Sequence, residues 1–206
     1  GYEVGVFEAE DGIRSYAVTG VQTCALPILI AENATSLSKV GEIYDRIAFA
    51  GVGKFSEFDM LRKIGVRFAD SRGYAYSRED VRGKALANAY SQAVGEAFTR
   101  EMKPLEVELI VAEVGDDSLS GHEQNSLYRV KFDGFISDHK GFCVIGGNVQ
   151  DVQSVLDDDY REGITRGEAI NLGLKALLRG ASDSSTLDAT KLEVCILDRL
   201  RVGRKF

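Results

Sequence analysis

Val107-Glu108-Leu109-Ile110-Val111-Ala112-Glu113-Val114 is the stretch on which the fold turns. Val107, Leu109 and Val111 alternate with Glu106, Glu108 and Glu113, the period-two pattern of a β-strand. Ile110 and Ala112 make the second face apolar as well. A strand with two apolar faces is expected to be covered on both sides, in the middle of a layered structure.

Downstream, residues 115–125 read as a polar loop. Residues 127–132 and 135–137 flank Asp133-Gly134, a strong hairpin signal. Residues 142–145 form another short strand, closed by Gly146-Gly147. A helix over 151–160 follows. Thr165-Arg166-Gly167-Glu168 is then a capping box for a further helix with Ala169, Ile170, Leu174, Leu177 and Leu178 on its apolar face. Gly180 is its expected C′ residue. A Ser/Asp-rich loop over 181–189 leads to a last strand at 192–197 and a basic tail.

Upstream, residues 29–31 read as the end of a strand and 33–38 as a loop. Residues 40–44 and 47–49 are short β-prone segments ending at Gly51-Val52-Gly53. Two helices separate them from the central strand. One opens at Ser56 with Phe58, Leu61, Ile64 and Phe68 at helical spacing. The other starts at the capping-box-like Ser77-Arg78-Glu79-Asp80, with Leu86, Ala89, Tyr90, Ala93, Val94, Ala97 and Phe98 as a wide stripe. The order is strands, two helices, strands, two helices, strand. It predicts an α/β (α+β) architecture of two packed antiparallel sheets with helix pairs outside, not a doubly wound parallel sheet.

Composition narrows the function. The 206 residues suit one domain, and a net charge of -7 argues against a nucleic-acid partner held by phosphate contacts. No apolar run is long enough to span a bilayer, so no membrane is expected. Three cysteines without repeating spacing fit neither a disulfide framework nor a four-thiolate zinc site, and suit a reducing compartment. Ala48-Phe49-Ala50-Gly51-Val52-Gly53-Lys54-Phe55 has the outline of a phosphate loop, but Ala48 and Phe55 stand where Gly and Ser or Thr are needed, so a glycine turn is the better reading. Asp157-Asp158-Asp159 reads as an acidic helix surface. His122 and His139 fall in polar loops with no Cys or His partner nearby, so no metal site is expected. No Gly-x-Ser-x-Gly elbow occurs. Cys143 and Cys195 fall inside strands, as buried thiols. Residue chemistry alone therefore stops at a two-sheet domain without visible catalytic apparatus.

Residues 18–28 resemble the translation of a common sequencing-library adapter, and Ala9-Glu10-Asp11-Gly12-Ile13-Arg14 resembles an upstream part of it. Residues 1–28 are therefore expected to be a non-native, adapter-like segment, and residues 29–206 the domain proper.

Within 29–206, several segments together resemble a proteasome core-particle α-subunit of the bacterial type. They are Ser38-Lys39-Val40-Gly41-Glu42-Ile43-Tyr44-Asp45-Arg46, Ala50-Gly51-Val52-Gly53-Lys54-Phe55-Ser56-Glu57-Phe58-Asp59, Phe68-Ala69-Asp70-Ser71-Arg72-Gly73-Tyr74-Ala75-Tyr76 and Lys103-Pro104-Leu105-Glu106-Val107-Glu108-Leu109. Leu127-Tyr128-Arg129, Asp133-Gly134, Gly146-Gly147 and Leu192-Glu193-Val194 keep the register.

The resemblance implies a four-layer αββα sandwich of the N-terminal-nucleophile hydrolase type, with its N-terminal part missing. It implies a non-catalytic subunit with no cofactor. Such a subunit joins other α-subunits in a heptameric ring in the cytoplasm, caps the β-subunits and gates substrate entry. A hexameric AAA+ ATPase activator docks through its C-terminal tails in a pocket between adjacent α-subunits. By motif position Lys39 pairs there with the tail carboxylate, and Gly53 and Lys54 line the pocket. The gating tail, the rim helix and the first strand would belong upstream of residue 29. Two alternatives stay open: a catalytic β-type subunit, which needs a threonine at a mature N-terminus, and a stand-alone scaffold of the same fold.

Overall fold

The computed structural model describes residues 2–8, 17–22, 39–115, 124–180, 192–201 and 203–205. The strands are β1 (Tyr2–Glu8), β2 (Ala17–Gln22), β3 (Val40–Tyr44), β4 (Ile47–Gly53), β5 (Val107–Glu113), β6 (Ser126–Val130), β7 (Ile136–His139), β8 (Phe142–Ile145) and β9 (Leu192–Asp198). The helices are α1 (Phe55–Ala75), α2 (Gly83–Arg100), α3 (Val149–Asp159) and α4 (Arg166–Gly180). One sheet has the order β3-β4-β5-β6-β7 and the other β8-β2-β1-β9, with every described pairing antiparallel. Residues 1–28, set apart on sequence grounds, thus contribute two strands to the second sheet. The expected strand end at 29–31 and the loops at 33–38 and 181–189 lie outside the described residues.

Three apolar clusters separate four layers. Leu109 and Val111 of β5 pack with Phe49, Phe58, Leu61, Leu86 and Tyr90 beneath α1 and α2. Ile110 and Ala112, one residue out of phase, face Cys143, Ile145 and Leu197 between the sheets. Val144 packs with Val152, Leu156, Ala176 and Leu177 of α3 and α4. The double-faced reading of the central strand is therefore realised as helix pair, sheet, sheet, helix pair.

The local differences have physical causes. The buried face of α1 is Phe58, Leu61, Gly65 and Ala69, while Ile64 is exposed. Gly65 replaces Ile64 because the Tyr90 ring of α2 lies over it: a Cβ at Gly65 would stand 1.8 Å from Tyr90 Oη. That hydroxyl is buried with no hydrogen-bond partner among the described residues, and burial pushes its pKa up.

Ser77 does not open α2. Its Oγ accepts the Glu79 N–H at 3.2 Å and caps only a short 3₁₀ turn over Arg78–Asp80. The helix begins at Gly83, whose N–H donates to the Glu113 carboxylate at 2.8 Å. A tertiary acceptor thus displaces the local capping signal. At α4 the box is reciprocal, Thr165 N–H donating to Glu168 Oε2 at 2.7 Å and Glu168 N–H to Thr165 Oγ1 at 3.3 Å.

Candidate functional site

Lys39, Gly53 and Lys54 fall at one end of the β3–β4 ribbon. The Lys39 carbonyl accepts the Gly51 N–H at 3.1 Å. Gly51 precedes Gly53 by two residues on β4, so Lys39 and the Gly53-Lys54 turn share that end. β3 is an edge strand of its sheet.

Gly53 has φ +117°, a conformation side chains avoid, and lies against the Glu106 carbonyl. Lys54 caps α1. Its N–H donates to Glu106 O at 3.1 Å, and its Nζ lies 3.3 Å from Glu57 Oε1. Glu57 Oε2 accepts the Glu106 N–H at 2.6 Å, so the turn, the first helical turn and the approach to β5 are stitched together. The Lys54 side chain remains 53% exposed. The Lys54 side chain makes no capping hydrogen bond, and the 21-residue helix begins here with the positive end of its dipole. Lys39 and Lys54 thus bracket the end of the ribbon at the α1 N-terminus, where Glu57, in the first helical turn, pairs with Lys54.

The ribbon is held from the other sheet at both ends of β3. At the lysine end, the Lys39 N–H donates to Glu193 Oε2 of β9 at 3.0 Å. At the other end, the Lys205 N–H donates to Asp45 O at 2.6 Å and the Asp198 N–H to Lys205 O at 2.7 Å. Arg204 Nε donates to Glu42 Oε1 of β3 at 2.8 Å. Glu57 was accessible from sequence through its three-residue spacing from Lys54. Glu193, 154 positions from Lys39, leaves no local signal of its role.

The remaining candidates lie elsewhere. His139 is not in a loop but ends β7, half-buried, its Nε2 2.8 Å from Ser137 Oγ. Desolvation, with the Arg129 charge adding to it, holds the ring below the usual histidine range. His122 lies outside the described residues. Burial pushes the Cys143 thiol up to about 12, as befits an unreactive thiol. Cys195 is half-buried on β9. Asp157, Asp158 and Asp159 are exposed on α3, and Asp159 pairs with Lys175. Among the described residues no three His, Cys, Asp or Glu side chains converge as a metal-binding group. Nor, among them, is any helix long and apolar enough to cross a membrane.

The family model described as "Proteasome subunit" matches residues 16–197. Curated relatives bear the name "Proteasome subunit alpha". One from Xylanimonas cellulosilytica is 49% identical over 179 residues, covering 83% of this chain and 72% of that protein. One from Saccharopolyspora erythraea is 46% identical over 200 residues, covering 96% and 77%. One from Mycobacterium tuberculosis is 42% identical over 205 residues, covering 96% and 82%.

Proposed function

The chain belongs to the proteasome subunit family as a non-catalytic, α-type subunit of the core particle, and on that premise we propose that it docks an ATPase activator through Lys39. It assembles with other proteasome subunits. In our reading it forms the heptameric outer ring over the β-subunits in the cytoplasm and gates substrate entry. A C-terminal tail of a hexameric AAA+ ATPase enters between neighbouring α-subunits, and its carboxylate pairs with the Lys39 ammonium. Gly53 and Lys54 line the same pocket.

The observation that carries this reading is the convergence of Lys39, Gly53, Lys54 and the α1 N-terminus at one end of an edge ribbon. A charge-assisted bond to a carboxylate contributes roughly 1.5–3 kcal/mol, so one tail binds weakly. Several tails on one ATPase ring add through effective concentration. Lys39→Ala is therefore expected to abolish ATPase-stimulated degradation while rings still form. The readout is degradation of an unfolded protein by the assembled particle with and without the ATPase. Normal stimulation in the variant would sink the assignment.

The same proposal takes residues 1–28 as adapter-derived. Ladder bonds join main-chain groups, so a foreign β-prone stretch can occupy a strand position. Sequencing the source locus across residues 28 and 29 decides it, since adapter codons in the genomic DNA would contradict this origin.

A further inference from the structure

We propose that Glu193 is a positioning residue for Lys39: its carboxylate, reaching over from the other sheet, holds the Lys39 amide and so sets where the lysine stands when a tail arrives. The inference rests on the docking reading above.

Lys39 stands just outside the β3 ladder, which begins at Val40. Its carbonyl stays with β4 through Gly51, but its amide leaves the ladder and is taken by Glu193 Oε2 at 3.0 Å. Hydrogen bonds from an amide to an ionised carboxylate are the stronger kind. β9 is the edge of its own sheet, as β3 is of the other. Glu193 therefore ties two open edges together at the residue that presents the ammonium.

The far end of β3 has its own tie through Asp45, Lys205 and Asp198, and its middle is paired to β4. Loss of the Glu193 carboxylate should release Lys39 while leaving the rest of the strand in place. A lysine that must meet a carboxylate in one geometry loses binding when its backbone pivots, even if the charge is kept.

The test uses assembled particles carrying the full chain and a peptide copied from the last residues of the ATPase, with a free C-terminal carboxylate or as its carboxamide. The ratio of the two affinities reads the lysine–carboxylate contact specifically. Ring size and thermal midpoint are recorded on the same samples. Lys39→Ala should bring the ratio close to one. Glu193→Ala should weaken the free-carboxylate peptide by about tenfold and shrink the ratio, with ring size unchanged. Glu193→Gln keeps an acceptor oxygen and should stay within about threefold of the parent.

An unchanged ratio in Lys39→Ala would defeat the docking reading itself. A lost ratio in Lys39→Ala with a parental ratio in Glu193→Ala would defeat only the positioning role. An equal loss in Glu193→Gln and Glu193→Ala would also overturn the hydrogen-bond role. If Glu193→Ala does not fold, Glu193→Met removes the acceptor at similar volume and carries the same expectation.

Discussion

Gly53→Ala should lower the stability of the chain by about 3 kcal/mol or more and abolish tail binding. Two penalties act at this position. The backbone sits at φ +117°, where a residue with a side chain is strained by roughly 1–3 kcal/mol. The added Cβ would also stand 1.9 Å from the Glu106 carbonyl oxygen and 3.0 Å from the Val107 Cα. These are main-chain atoms, so no rotamer change relieves the overlap. β4 must move away from β5 at the end where Lys54 bonds Glu106. For a chain of this size such a loss is a fall of roughly 10 °C in thermal midpoint, read by far-ultraviolet circular dichroism. A midpoint within about 2 °C of the parent would show that this turn tolerates a side chain.

The second large effect is expected inside the domain. Arg46→Met should cost about 3–5 kcal/mol at neutral pH, the usual result of breaking a buried ion pair from one side. Arg46 and Glu113 are each 5% exposed, with Nη1 and Oε1 3.2 Å apart. Arg46 Nη2 also lies 3.4 Å from the carbonyls of Glu79 and Val81, and Glu113 takes the first amide of α2. The pair therefore fastens the α1–α2 connection to the sheet.

The loss should depend on pH. Burial raises the Glu113 carboxyl above its ordinary range, and the Gly83 amide and the Arg46 charge oppose that rise. Removing Arg46 raises it further. A carboxyl raised on folding holds its proton more tightly in the folded chain. Its stabilising term is present below the unfolded carboxyl range and is lost as pH climbs through the folded value. The difference between parent and variant should therefore be largest near pH 8 and shrink toward pH 5, as read by urea midpoints at both. An equal difference at the two pH values would contradict a charged Glu113 partner.

Legibility followed the range of the interactions. The central strand was readable because its two faces alternate within eight residues and each meets its own apolar cluster. The Thr165–Glu168 box was readable because both partners lie in one turn. Ser77 misled because the acceptor that starts α2, Glu113, lies 30 residues beyond Gly83. Gly65 is the groove that admits Tyr90, a role that depends on how α2 packs on α1 and leaves no local signal.

The site divides the same way. Gly53 announces a turn on chemistry alone, and Lys54 with Glu57 follows from helical spacing. Lys39 is an ordinary lysine by composition and was reached only through a resemblance of whole segments. Glu193 carries no local signal of its role, because the bond that matters joins the edges of two sheets.

The most direct measurement is the mass and symmetry of the particle formed when this chain is coexpressed with a proteasome β-subunit, by native mass spectrometry and electron microscopy. A heptameric outer ring of this chain stacked on β-subunits, with peptidase activity traced to the β-subunit, is the expected result. A chain that stays monomeric beside assembled β-subunits, or that cleaves peptides by itself, would contradict it.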